Sequence, residues 1–137
     1  MKKEVTIFWF RRDLRTKDNM GLFWALKENT NVLPIFIFDK NILENLDKDD
    51  TRVSFIHQTL SELKEELKTF NSDLLTLHDT PQGAWNEVLK NYKVTAVYTN
   101  EDYEPYGIKR DLSITKLLRK YSIPFHTYKD HCIFAKD

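Results

Sequence analysis

A chain of 137 residues makes about one domain, long enough to bury a proper core. Hydrophobic and aromatic contents of 41% and 13% exclude a disordered chain, and 21 basic against 21 acidic side chains leave no net charge to draw it onto nucleic acid or an anionic membrane. The single Cys132 excludes an internal disulfide and fits a reducing, cytoplasmic setting; Met1-Lys2-Lys3 opens no signal peptide, and no apolar run approaches a membrane span. With three glycines in all, the chain carries neither a G-x-G-x-x-G turn nor a Walker-type phosphate loop.

Val5 to Phe10 is β-branched and aromatic without polar alternation, which suits a strand buried on both faces. The charged run Arg11 to Asn19 follows, and Asp18 or Asn19 can cap a helix carrying Met20, Phe23, Trp24 and Leu26. Asn31 to Phe38 reads as a second buried strand. Its Pro34 lacks a ladder donor and belongs near an irregularity or an unpaired position. Asp39 to Asp50 is a polar loop with a short helical turn around Ile42, Leu43 and Leu46. Thr51 then caps a helix whose Val53, Ile56, Leu60, Leu63, Leu67 and Phe70 recur at alternating steps of three and four.

Leu74 to Leu77 is a third strand. Thr80-Pro81 supplies a cap and a proline at the first helical position, opening a helix with Ala84, Trp85, Val88, Leu89 and Tyr92 on one face. Val94 to Thr99 is a fourth strand, and a helix from about Tyr106 to Tyr121 is expected to bury Ile108, Leu112, Leu117 and Leu118. Ile123 to Tyr128 is a fifth strand. Alternating strands and helices predict an α/β fold: a five-stranded parallel sheet, helices on both faces, right-handed crossovers. After Tyr128 the apolar Ile133-Phe134 meets no later element, so residues 1–137 are expected to be one domain of something longer.

In an open parallel sheet, ligands collect in the crevice beyond the carboxyl ends of the strands. Two loops should reach that edge. One begins at Arg11. The other runs from the fourth strand through Glu101, Asp102 and Glu104 to Tyr106 and Arg110, offering carboxylates, a ring and a cation. The same residues can equally make a capped strand-to-helix turn with a solvated acidic rim, and a crevice blocked by packed side chains would count heavily against a ligand held there.

Phe8-Trp9-Phe10-Arg11-Arg12-Asp13-Leu14-Arg15 with Asp18-Asn19, and Glu104-Pro105-Tyr106-Gly107 with Arg110-Asp111, resemble the two signature loops of the DNA photolyase and cryptochrome family in order and spacing. The resemblance runs over essentially the whole chain. It implies a Rossmann-like three-layer α/β/α antenna domain, which in the family precedes a larger helical domain that binds FAD and damaged DNA. In the parent enzyme, light-excited reduced FAD passes an electron to a cyclobutane pyrimidine dimer and recovers it after splitting, while many members hold a second chromophore as an antenna. The chain would end before the FAD domain, carry no catalytic residue of its own, and not repair DNA alone. Its partners would be the helical FAD domain of the parent and, through that domain, damaged DNA, with no membrane involved.

The sheet-edge argument and the resemblance together make Arg11, Phe38, Asp39, Arg52, Glu101, Asp102, Glu104, Tyr106 and Arg110 the candidate cofactor-binding residues. Each has a structural alternative. Arg11, Asp13 and Arg15 can form an internal salt-bridge set, while Arg12 suits solvent. Phe38 at a strand end can stack on a flat ring or belong to the core. Arg52, in the first turn of a helix, sits at the end that disfavours cations, which hints at another duty such as hydrogen-bonding an acidic ring oxygen or a phosphate. Asp102 is the favoured acceptor for a ring N–H, Tyr106 can lie against the ring, and Arg110 can bind ligand or pair with an acidic neighbour. Folate-binding members carry an Asn-Glu pair where Tyr106-Gly107 stand here. The implied antenna is therefore 8-hydroxy-5-deazaflavin or FMN ahead of methenyltetrahydrofolate, with FAD confined to the absent domain.

His57, His78, His126, His131 and Cys132 complete no metal set by spacing, and Trp9, Trp24 and Trp85 read as core. A cryptochrome photoreceptor shares this domain, and a stand-alone nucleotide-binding or interaction module could share the fold.

Overall fold

The computed structural model describes residues 2–44 and 51–129. In chain order these form β1 (Lys3–Phe10), α1 (Met20–Glu28), β2 (Val32–Asp39), α2 (Lys40–Leu43), α3 (Thr51–Lys68), β3 (Leu75–Asp79), α4 (Pro81–Asn91), β4 (Tyr92–Asn100), α5 (Pro105–Lys120) and β5 (Phe125–Tyr128). The five strands are all parallel, in the order β3-β2-β1-β4-β5. From β1 the chain steps outward through β2 to β3, then crosses back to lay β4 against the other side of β1. That reversal puts the topological switch point, where such sheets open a crevice, between the carboxyl ends of β1 and β4.

Side-chain alternation along β1 sorts the core into two layers. Ile7 and Trp9 face α4 and α5 through Trp85, Val88, Ile114 and Leu118. Phe8 and Phe10 face the other way, towards α1 and α3, against Leu22, Leu60, Leu63 and Leu67. A strand covered on both faces needs no polar alternation, which is why β1 is buried from Val5 to Phe10. Pro34 stands one residue before the β2–β3 ladder begins at Ile35, where no β3 residue is registered beside it.

Local signals set several boundaries. Asn19, not Asp18, caps α1: its Oδ1 accepts the Leu22 N–H at 3.1 Å, while Asp18 turns the chain with φ of 51°. Thr80 caps α4 by accepting the Gly83 N–H at 3.1 Å, with Pro81 as its first residue. Thr51 is itself the first helical residue of α3, and the turn expected around Ile42 and Leu43 is α2. Leu46 and the rest of that loop lie outside the described residues, as do Ile133, Phe134, His131 and Cys132.

Two helices turn differently from expectation. The buried side of α5 is Gly107, Ile114, Leu117 and Leu118, whereas Ile108 and Leu112 are 48% and 60% exposed. Ile108 and Leu112 form an i, i+4 pair on a second stripe, and the sheet covers only one. Helix α1 buries Gly21, Leu22 and Ala25, leaving Met20, Phe23 and Leu26 exposed. The reason is proximity: a Cβ on Gly21 would press on Phe8 and Asn100, so the sheet side of α1 admits small residues. Phe70, last of the expected α3 stripe, lies beyond the helix end and is exposed.

Candidate functional site at the carboxyl edge of the sheet

At the switch point the crevice is filled by the chain's own polar groups. Arg11 donates from Nη1 to the Asn100 carbonyl at 2.6 Å and from Nη2 to Asp111 at 2.5 Å, with its guanidinium 4.1 Å from the centre of the Trp9 ring. Asp13 accepts the Arg11 N–H at 2.7 Å and an Asn100 Nδ2 proton at 2.5 Å. The other Nδ2 proton of Asn100 goes to Asn19 at 2.7 Å, and its Oδ1 accepts the Gly21 N–H at 2.8 Å. Asn100 therefore spends both donors and its acceptor tying β4 to the two ends of the β1–α1 loop. Burial raises the Asp13 pKa above the ordinary carboxyl value in spite of these bonds. It also lowers that of Arg11, which Asp111 opposes, and the guanidinium stays charged.

The start of α5 continues the network. Arg110 donates from Nη2 to Asp102 at 3.0 Å and from Nε to Asp111 at 3.1 Å, so Asp111 serves both arginines. Asp102 also accepts the Glu104 N–H at 3.0 Å and lies over the first turn of α5, where a Cβ on Gly107 would collide with its carboxylate. Burial works against the charged form of Asp102, yet the Glu104 N–H and Arg110 together hold its pKa below the ordinary value. Arg110 and Asp102 are 8% and 12% exposed in their side chains, so this pair is shielded rather than a solvent-screened surface bridge.

The edge opens on the α4/α5 side of β2. Asp39 ends β2 on that side, accepting the Tyr106 hydroxyl proton at 2.6 Å and the Asn41 N–H at 2.8 Å. Asn41 Nδ2 donates to the Tyr106 oxygen at 3.1 Å. Burial and the Asp39 carboxylate raise the Tyr106 pKa above the ordinary phenol value. Beside this trio lies a cleft of about 260 Å³ lined by Asn41, Thr80, Pro81, Gln82, Tyr106, Lys109, Arg110, Ser113 and Ile114. In the core Trp9 and Trp85 pack edge to face with ring centres 5.5 Å apart, and Arg110 of the cleft wall lies 5.3 Å from the Trp9 ring. Arg11 Nε and Trp85 Nε1 are buried without a hydrogen-bond partner among the described residues.

Five of the nine sequence-derived site residues thus meet: Arg11, Asp39, Asp102, Tyr106 and Arg110. They meet largely by pairing with one another and with Asp111. Glu101 and Glu104 form an exposed rim, Glu104 lying 3.9 Å from Arg12. Phe38 is buried on the α1/α3 layer, one residue out of phase with Asp39, its ring stacked with those of His57 and His78. Arg52 is an exposed residue of α3, the helix whose buried side packs on that same layer. Arg15 bonds the Asp18 carbonyl and so braces the loop before α1.

The residues that sequence reading missed are Asn100, Asp111 as a shared acceptor, and the cleft wall of Asn41, Thr80, Gln82, Lys109, Ser113 and Ile114. A usable signal existed for Asn100, an amide closing an otherwise apolar strand run. Tyr106, Arg110, Ser113 and Ile114 also recur at helical spacing along one side of α5. Among the described residues no group of histidines, cysteines and carboxylates could hold a metal ion, and no helix is long and apolar enough to cross a membrane.

Residues 6–137 match the family model for DNA photolyase. Among curated relatives, a deoxyribodipyrimidine photo-lyase of Synechococcus sp. is 35% identical over 96% of this chain and 27% of its own length. Cryptochrome-2 of Gallus gallus is 29% identical over 96% of this chain and 23% of its own. Among solved structures, an archaeal photolyase from Sulfolobus tokodaii with two FAD molecules is 39% identical with a TM-score of 0.84, over 93% of this chain and 29% of that one. The chain spans less than half the length of the curated relatives it matches.

Proposed function

Since the chain belongs to the DNA photolyase family, we propose that it is the antenna domain of a deoxyribodipyrimidine photolyase, holding a light-harvesting chromophore beside a flavin carried on a separate helical domain. The cleft between α4 and α5 carries this reading. It lies at the carboxyl edge of a parallel sheet and combines a ring and aliphatic surface (Tyr106, Pro81, Ile114) with convergent polar groups from Asn41, Thr80, Gln82 and Ser113. That mixture suits a flat heteroaromatic ring, and the residues present therefore fit such a group. The Sulfolobus tokodaii relative, described with two FAD molecules and a novel light-harvesting cofactor, supports a flavin-like occupant.

When bound, the chromophore would absorb light and pass excitation energy to the flavin. The chain's own residues would do the holding. Tyr106, fixed by Asp39 and Asn41, offers its ring, and Arg110 brings a cation aimed by Asp102 and Asp111. Asp102 becomes a positioning residue for Arg110 as well as a candidate acceptor. An 8-hydroxy-5-deazaflavin or FMN remains favoured over methenyltetrahydrofolate, on the Tyr106-Gly107 pair.

In the parent, the helical FAD domain would bind damaged DNA and split the dimer, and this chain alone would be inactive in repair. Exposed Ile108 and Leu112 on α5 give the helical domain an apolar surface to dock on. Similarity to a cryptochrome supports a second reading, a blue-light receptor domain, which dimer repair by the intact parent would separate from the first.

The test is direct. FMN and 8-hydroxy-5-deazaflavin are titrated separately into the chain while Trp9 and Trp85 emission is followed. Saturable quenching, abolished by Ser113→Phe, which puts a ring into the cleft from a residue outside the arginine network, is the expected result. No quenching by either compound would remove the flavin-type antenna assignment and mean a site that is vestigial or specific for folate.

A further inference from the structure

Helix N-termini are the usual place for a phosphate at such an edge, because their free N–H groups and dipole favour an anion. In this chain three of these ends already hold an occupant. Asn100 and Asn19 accept the Gly21 and Leu22 N–H groups of α1. At α4, Pro81 brings no N–H, Thr80 takes that of Gly83, and the Asp79 carboxylate lies so close over Gly83 that a Cβ there would collide with it. At α5, Pro105 brings no N–H and the Asp102 carboxylate covers Gly107 in the same way. The two helices that wall the cleft thus each carry a carboxylate over the first turn, placed there by a glycine at the third helical position.

The cleft's cations do not offset this. Arg110 is engaged by Asp102 and Asp111, which leaves the exposed Lys109 of the cleft wall set against the carboxylates of Asp39, Asp79 and Asp102. Asp39 adds a further carboxylate, bonded to Tyr106. Arg52, the other sequence-derived phosphate candidate, belongs to α3, whose buried side packs on the opposite face of the sheet. The volume of about 260 Å³ also lies just below the low end of ordinary small-molecule sites.

We propose that this cleft selects its chromophore by the ring alone and leaves the ribityl tail in solvent, so that phosphate-free and phosphorylated flavins bind alike. The inference rests on the antenna reading above and narrows it to a ligand class.

Riboflavin, FMN and FAD are titrated into the chain by tryptophan quenching at about 50 mM and about 300 mM salt. Dissociation constants within about fivefold of one another, with little salt dependence for FMN, are expected. FMN or FAD binding more than about fivefold tighter than riboflavin would overturn the inference and leave the antenna reading standing. Binding of none of the three would overturn the inference, and the antenna reading would fall with it only if 8-hydroxy-5-deazaflavin also fails to quench. Asp79→Asn keeps the oxygen that accepts the Thr80 N–H but deletes a charge, and should tighten FMN about threefold relative to riboflavin. An unchanged ratio in that variant would show that the carboxylate over α4 does not repel phosphate, and would count against the proposal.

Discussion

The centre of the carboxyl edge and its flank are built from the same residue types and behave differently. Between β1 and β4, Arg11, Asp13, Asn100, Asp102, Arg110 and Asp111 are shielded and satisfy one another, so the switch point is closed by its own side chains. At the end of β2, Asp39, Asn41 and Tyr106 form a smaller, more exposed set beside an open cleft. The contrast teaches that a crevice predicted from topology alone locates the edge, not the opening. The centre holds the geometry on which the flank depends.

Substitutions can break that comparison, beginning with the centre. Arg11→Met should cost about 3 kcal/mol in denaturant unfolding, because it strips Asp111 and the Asn100 carbonyl of a buried charged donor. A loss under about 1 kcal/mol would mean that the centre is no more integrated than a surface ion pair. Gly107→Ala comes next. Alanine gains about 1 kcal/mol of helix propensity, but its Cβ meets the Asp102 carboxylate and must dislodge it from Arg110, so a net loss of about 1–2 kcal/mol is expected in the same assay.

Tyr106→Phe tests the flank. Removing the hydroxyl shared by Asp39 and Asn41 should cost about 1 kcal/mol or less of stability while weakening chromophore quenching, since the ring loses its fixed orientation. A pH series separates Asp13 from Asp102 among the carboxylates of the centre. The Asp102 pKa is depressed, so its stabilisation is whole above the ordinary Asp value near pH 4 and lost as pH falls through the lower native value. The Asp13 pKa is raised, so its stabilisation is whole below that ordinary value and lost as pH rises through the higher native one. Asp102→Asn should therefore flatten the acid limb of a stability–pH profile, and an unchanged acid limb would place the titrating group elsewhere. Arg12→Ala is the smallest test. Its contact with Glu104 is 3.9 Å between exposed side chains, and a change beyond about 0.5 kcal/mol would contradict that picture.

Much of this fold was legible because its signals are local or periodic. The alternation of apolar runs with three-four stripes gave the element order, Pro34 marked the start of a ladder, and Thr80-Pro81 marked a helix start. The two loops of the edge could be named as well, since a strand that ends in charge points to a sheet edge. What stayed hidden depends on approach between distant segments. Helix α5 carries two apolar stripes, and nothing within residues 105–120 says that the sheet covers Ile114 rather than Leu112. Helix α1 hides small residues because it lies close on Phe8, a fact about β1. Phe38 and Asp39 were read as one wall, although strand alternation sends adjacent residues to opposite layers. Asp102 and Arg110 pair with each other, and residue type alone cannot separate such a pair from ligand groups, because a carboxylate and a guanidinium beside a crevice suit both duties.

The sequence distance spanned by the central network has a kinetic consequence. Arg11 reaches Asn100 across 89 residues, and Trp9 receives the Thr99 hydroxyl across 90. Every bond between the two loops waits for the same event, the return of β4 to the side of β1 through the long crossover. Closing so long a loop adds little to the equilibrium cost, because that cost grows only with the logarithm of length, but contacts of this separation slow folding. Bonds within one loop, such as Arg110 to Asp102 eight residues away, need no such event, whereas those between the loops form only with β4 beside β1. The charge pairs that join the two loops therefore belong to the slow, long-range part of folding, the pairing of β4 with β1.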